Sequence, residues 1–64
     1  MPIIRVEMYK GRSVDQKRAA AKALTQAFLD TCGGTPQSVQ IIFTDVEKED
    51  WAAAGILASD PKPA

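Results

Sequence analysis

The sequence has no histidine and so lacks the side chain that most often serves as a general base near neutral pH. Its single cysteine, Cys32, cannot form an intrachain disulfide, and without histidine no set of metal ligands is expected. We expect Cys32, beside Gly33, to be a buried residue at a helix end rather than a catalytic thiol. A chain of 64 residues without such cross-links rarely buries enough apolar surface to be stable alone, which predicts a homo-oligomer.

An excess of charge of one sign is also missing, because eight Lys and Arg residues balance eight Asp and Glu residues. A neutral chain with interspersed charges has no electrostatic footprint for nucleic acid or an anionic membrane, and we expect neither as a partner. No stretch approaches the roughly 20 apolar residues of a membrane span, and no signal segment opens the chain. We therefore expect a cytoplasmic protein.

The first half of the chain predicts a strand followed by a helix. Apolar and charged residues alternate from Ile3 to Tyr9, as in a strand with one buried face. Ser13 and Gln16 have the spacing of a capping box, which predicts the start of a helix. The helix should run for about five turns, with an inward stripe of residues 20, 24, 27, 28 and 31, and end at the glycines 33 and 34.

The second half predicts a short helical turn at Thr35 and Pro36, and then a strand from Val39 to Asp45. A long helix between two strands is the usual crossover between parallel neighbours. We therefore expect an α/β (α+β) fold, a β-α-β subunit over residues 1–64 as one domain, with a short C-terminal hairpin or turn segment. Its open sheet face and edges, with Ile3 and Ile42 exposed, favour dimers that extend the sheet.

The start of the chain carries the clearest chemical signal, because Met1 is followed by Pro2. Removal of Met1 leaves Pro2 as an N-terminal secondary amine. α-Amino groups titrate at about pH 7.7 to 8.0, and an apolar pocket beside cations lowers that pKa. In a chain without histidine, this amine is the best candidate for a general base.

Several features, in this order, resemble the 4-oxalocrotonate tautomerase family over essentially the whole chain. They are the Met1-Pro2 start, the Gly11-Arg12-Ser13 turn that opens the helix, Pro36 and Val39 ahead of the second strand, Trp51, and the segment from Gly55 to Ser59.

The resemblance implies a β-α-β subunit that assembles as a hexamer, a trimer of dimers. It also implies an isomerase without a cofactor or metal, which interconverts enol and keto forms of a small unsaturated α-keto acid such as 2-hydroxymuconate, in aromatic degradation. Pro2 would be the base, Arg12 the partner of a substrate carboxylate or oxyanion, and Trp51 an apolar wall of the pocket. A guanidinium fork suits a carboxylate.

Two departures from the family pattern bear on the substrate. Gln40 stands where many members carry a second arginine, so a substrate-binding donor remains without its charge. Alanines occupy positions 52–54, where glycines usually follow the aromatic residue, so the pocket wall should differ in shape.

The sequence alone leaves two other functions open. The amine could activate water for dehalogenation or hydration of an unsaturated halo-acid, which needs a carboxylate such as Glu7 or Asp45 beside it. Alternatively, the chain could be a non-catalytic assembly or ligand-binding subunit. Trp51 could equally anchor a subunit interface.

Overall fold

The computed structural model describes residues 1–61, so the last three residues of the expected 1–64 domain lie outside the described residues. That residues 1–64 form a single domain stays a prediction. Two longer strands and one helix form the body, followed by a small hairpin. The elements are β1 (Ile3–Tyr9), α1 (Val14–Cys32), a 3₁₀ turn (Pro36–Ser38), β2 (Gln40–Val46), a second 3₁₀ turn (Lys48–Asp50), β3 (Ala52–Ala53) and β4 (Ile56–Leu57).

Helix α1 begins with the capping box that the sequence predicts. The backbone N–H of Gln16 donates to Ser13 Oγ over 3.1 Å, and the N–H of Ser13 donates to Gln16 Oε1 over 2.9 Å. At the other end the N–H of Gly33 donates to the carbonyl of Leu29 over 3.0 Å, and Gly33 has a φ of 76°. Both helix ends therefore satisfy backbone groups that would otherwise lack partners, and the predicted bounds are confirmed.

The two long strands pair in parallel, as the crossover predicts, with Ile3 opposite Gln40 and Tyr9 opposite Val46. The first strand has the predicted bounds, whereas the second begins one residue later than expected. Val39 is held by the preceding 3₁₀ turn, because its N–H donates to the carbonyl of Pro36 over 3.4 Å.

Helix α1 covers one face of the sheet. The even-numbered residues of β1 and Ile41 and Phe43 of β2 lie on the partly buried face. Their neighbours along the strands are exposed, except Tyr9, which is partly buried. The stripe prediction was right for positions 20, 24 and 28 but wrong for 27 and 31, which are exposed. Cys32 is exposed too, not buried as expected. A helix of 19 residues is about 28 Å long and outruns strands of about 23 Å, so its last turn lies beyond the sheet.

The isolated chain is not compact. None of the described residues, 1–61, is buried. The radius of gyration is 15.4 Å, compared with about 11 Å for a compact chain of this length. Large apolar side chains are exposed on the open sheet face, at Ile3 and Ile42, and on the hairpin, at Ile56 and Leu57. Their exposure indicates that other chains cover these surfaces.

The C-terminal segment forms the expected hairpin, in which β3 and β4 pair antiparallel. The two turn residues, Ala54 and Gly55, both have positive φ, of 54° and 78°. Alanine in this left-handed region is strained by roughly 1–2 kcal/mol, so the alanine run does alter the backbone energetics of this segment. Over residues 1–61, no helix is long and apolar enough to cross a membrane.

Candidate active site

Pro2 and Gln40 lie together at the amino end of the parallel sheet. The backbone N–H of Gln40 donates to the carbonyl oxygen of Pro2 over 3.0 Å, one step before the Ile3–Gln40 pair. Pro2 is partly buried, whereas Gln40 is exposed on the face opposite α1. Met1 is 84% exposed, and while it is attached the Pro2 nitrogen is a tertiary amide. Loss of Met1 would therefore free a partly buried secondary amine.

Arg12 lies at the other end of β1, where the chain turns into α1. It borders a cavity of about 230 Å³ between the helix and the carboxyl half of the sheet. The lining is largely apolar, with polar groups from the first turns of the helix: Val6, Met8, Arg12, Gln16, Lys17, Ala20, Leu24 and Phe43. Arg12 is exposed and has no ion-pair partner among residues 1–61, so its guanidinium is available to an anion.

The neighbouring cation, Lys17, is already paired. Its Nζ lies 2.8 Å from Oδ2 of Asp45, which joins the first turns of α1 to the end of β2. This pair joins the helix to the sheet beside the cavity. Among the described residues, it leaves Arg12 as the lining residue whose positive charge has no ion-pair partner. An unpaired guanidinium beside apolar walls is suited to a small molecule that carries a carboxylate.

Trp51 also lies at the carboxyl end of the sheet. Its ring packs edge-on against Tyr9, with centroids 4.8 Å apart and planes at 63°. Lys48 Nζ lies over the Tyr9 ring, 5.8 Å from its centre. The carbonyl of Trp51 accepts from the N–H of Ala58 over 2.7 Å, which ties the backbone of Trp51 to the end of the hairpin.

The four residues singled out from the sequence therefore fall into two pairs. Pro2 and Gln40 lie at the amino end of the sheet, and Arg12 and Trp51 lie at the carboxyl end. Strand β1 alone, with seven residues, spans about 23 Å between them. No small substrate can touch both pairs within one chain.

Sequence reasoning missed three residues of the carboxyl-end group, namely Met8, Lys17 and Tyr9. Met8 could have been found from the inward alternation of β1, and Lys17 from its place one turn after the helix start. Nothing in the sequence signals that Tyr9 contacts Trp51, because 42 positions separate them.

The carboxylates considered for water activation do not lie beside Pro2 of the same chain. Glu7 pairs with Thr44 in the carboxyl half of the sheet, and Asp45 is bound to Lys17. Within residues 1–61, no cluster of His, Cys, Asp and Glu side chains has the arrangement of a metal site.

Comparison with known proteins gives a consistent result. The model of the tautomerase enzyme family matches residues 2–60. The 2-hydroxymuconate tautomerase of Comamonas testosteroni is 35% identical over 60 residues, which cover 94% of this chain and 95% of that protein. A probable tautomerase of Ralstonia nicotianae is 37% identical over 62 residues, covering 97% and 89%. The crystal structure of YwhB, a homologue of 4-oxalocrotonate tautomerase, superposes with a TM-score of 0.90 at 30% identity, covering 95% of this chain and all of that one.

The match covers nearly the whole chain, and the TM-score shows that the fold is shared with the solved relative. The chain belongs to the tautomerase family. It is an isomerase of the keto–enol type. Members of this family act on small substrates and form oligomers.

Proposed function

We propose that this protein interconverts the enol and keto forms of a small unsaturated α-keto acid similar to 2-hydroxymuconate, with Pro2 as the base once Met1 is removed. The unpaired Arg12 beside the apolar cavity is the observation that most supports an acidic substrate. The curated 2-hydroxymuconate tautomerase relative supports the conjugated enol class.

In the proposed reaction, the prolyl nitrogen takes the proton of the enol hydroxyl as the electron pair moves into the conjugated carbon chain. The prolinium then returns a proton to carbon, so protons and electrons balance without a cofactor. Negative charge gathers on the substrate oxygen during this transfer, and a preorganised donor there stabilises the transition state. Arg12 is the proposed partner of that oxygen or of the adjacent carboxylate.

The proposed site is shared between chains. The amino end of one sheet supplies Pro2 and Gln40, and the carboxyl end of a neighbouring sheet supplies Arg12 and Trp51. The distance of about 23 Å along β1 supports this division, because one chain cannot bring the two pairs together. The low compactness of the chain supports it as well.

The proposed substrate contacts at the amino end are weaker than those at the carboxyl end. Gln40 offers a neutral amide rather than a guanidinium, and hydrogen bonds from neutral donors are worth about half as much as those from charged ones. We therefore propose that substrate binding depends mainly on one carboxylate of the substrate, which Arg12 holds, and that Trp51 forms an apolar wall of the pocket.

We also propose a specific oligomer and a cellular location. The exposed open face and hairpin would be covered in a hexamer built as a trimer of dimers, in which each dimer extends the sheet. A cytoplasmic location and a role in aromatic degradation remain predictions.

Complementation between two inactive variants tests the shared site. Pro2→Ala and Arg12→Ala are prepared separately, checked for assembly by native mass spectrometry, then mixed under conditions that exchange subunits. A mixed dimer has one site with both substitutions and one with neither, so it recovers about half of the activity of a parent dimer. Since random exchange of equal amounts makes about half of the dimers mixed, the mixture should return towards about one quarter of the parent value. Each variant mixed with itself is the control.

Recovery in the mixture supports a base and an arginine from different chains. No recovery, although mass spectrometry detects mixed oligomers, would contradict the shared site. Full activity of Pro2→Ala alone would instead contradict the role of the amine.

A further inference from the structure

Among residues 1–61, three polar side chains line the cavity between α1 and the sheet, and two of them already have partners. The side-chain oxygen of Gln16 accepts from the N–H of Ser13 in the helix cap, over 2.9 Å. Lys17 Nζ lies 2.8 Å from Asp45 Oδ2. Arg12 has no ion-pair partner. Two cations therefore line the cavity, but only one of them is free to bind an anion.

Asp45 occupies an unusual place for a carboxylate. Alternation along β2 puts it on the same face as Ile41 and Phe43, which is the face that α1 covers. In the parallel register it lies opposite Met8, which also lines the cavity. The carboxylate thus reaches Lys17 from the sheet side, next to the cavity and not from the open face.

The pair is also the most shielded of the three ion pairs within residues 1–61. The side chains of Lys17 and Asp45 are 26% and 37% exposed, whereas both members of the other two pairs are more than half exposed. Water and salt weaken an exposed pair more than a shielded one. Asp45 should therefore hold the Lys17 ammonium more firmly than the surface pairs hold theirs.

We infer that Asp45 is a positioning residue for substrate specificity, which acts through Lys17. By pairing with Lys17 it leaves one free positive charge at the cavity, that of Arg12. The cavity then favours a ligand that places one carboxylate there over a ligand that places two. This inference rests on the proposed function, because it takes the cavity beside Arg12 as the place where a substrate carboxylate binds.

Two small acids that differ only in charge test the inference. Fumarate and crotonate share a four-carbon chain with one double bond, but crotonate has a methyl group in place of the second carboxylate. Their dissociation constants are measured by NMR titration of the assembled protein. Asp45→Asn removes the carboxylate charge with little change in size and frees Lys17. The preference for fumarate over crotonate should then rise about tenfold, because a second cation meets the second carboxylate.

The double variant Lys17→Gln/Asp45→Asn identifies the source of that change. It replaces both charges with amides, so Arg12 is again the one free cation and the preference should return to the parent value. Lys17→Gln alone leaves Asp45 unpaired and should weaken the binding of fumarate more than that of crotonate. A raised preference that persists in the double variant would overturn the inference, because Lys17 would not be its source.

Asp15→Asn is the matched control. It breaks the ion pair with Arg18 in the same first turn of α1 and changes the net charge by the same amount, but neither residue lines the cavity. Its preference should equal that of the parent. Circular dichroism and native mass spectrometry check the fold and assembly of each variant. No rise in Asp45→Asn, or an equal rise in Asp15→Asn, would overturn the inference, since a merely structural pair would change both dissociation constants together.

Failure of the proposed function has a different signature. Neither acid has an enol hydroxyl, so their binding does not depend on Pro2 as a base, and the turnover of Pro2→Ala does not enter this test. Arg12→Ala should weaken the binding of both acids. If it binds both as tightly as the parent does, the cavity does not hold carboxylates, and this result would overturn the inference as well.

Discussion

The backbone N–H of Gln40 donates to the carbonyl oxygen of Pro2 over 3.0 Å. This bond fixes the start of β2 beside the N-terminus, so residue 40 and the proposed base belong to the same end of the sheet. If this end binds the substrate as proposed, we expect the uncharged side chain at position 40 to limit how strongly it holds an anion. We therefore propose that substrate preference depends on position 40 more than on any other residue at the amino end.

Replacing Gln40 with arginine should shift the preference towards dicarboxylates. A charged donor contributes roughly 1.4 kcal/mol more than a neutral amide, so kcat/KM for 2-hydroxymuconate should rise about tenfold relative to a monocarboxylate enol. Thr44→Arg adds the same charge on the same face at the far end of β2 and is the control. An equal change for both substrates would show that residue 40 does not contact the second carboxylate.

Removing the Arg12 guanidinium should cost much of the activity without loss of assembly. Arg12→Ala should lower kcat/KM about 10² to 10³-fold, the usual effect of losing one transition-state donor. Arg12→Lys should recover only part, because an ammonium lacks the planar fork. Arg18→Ala removes an exposed arginine that pairs with Asp15 and should leave steady-state kinetics unchanged. If Arg12→Ala and Arg18→Ala behave alike, Arg12 has no role in the site.

Trp51 has two proposed roles, which its contact with Tyr9 allows us to separate. Trp51→Ala and Tyr9→Leu both break the edge-on ring contact, and each should reduce the free energy of unfolding by about 1–3 kcal/mol. Only Trp51→Ala should also lower kcat, because it opens the pocket to water. Equal residual activity in the two variants, measured where both are assembled, would make Trp51 an interface anchor only.

The stability of this protein should depend strongly on its concentration. A chain with no buried residue among 1–61 gains its apolar burial from assembly, so the folded state is favoured by mass action. The Tm should rise with each tenfold increase in protein concentration, as measured by circular dichroism or calorimetry. A Tm that is independent of concentration would mean that a single chain is stable as it stands.

Much of the fold was predictable because its signals are local. Ser13 and Gln16 bond across three residues, and the glycine at 33 ends the helix through its own backbone. The start of β2 was missed by one residue because the bond that holds Val39 in the 3₁₀ turn leaves no mark on side-chain alternation. Cys32 was wrongly predicted to be buried. Its burial depends on whether the sheet extends as far as the end of the helix, and this depends on the lengths of both the helix and the strands.

The candidate site could be named from the sequence as a set of residues but not as an arrangement. Resemblance to a family named Pro2, Arg12, Gln40 and Trp51, yet only the parallel register puts them at opposite ends of the sheet. Alternation along β1 also gives the faces of Arg5 and Glu7, which are both exposed.

The central claim is that the amine of Pro2 is the base, and one measurement addresses it most directly. The rate of 2-hydroxymuconate ketonisation is measured with protein whose intact mass shows that Met1 has been removed, before and after alkylation of the N-terminal amine. We predict a rate far above the uncatalysed one that is abolished by alkylation, while native mass spectrometry shows the same assembly. A high rate that survives alkylation, or a background rate before it, would contradict the claim.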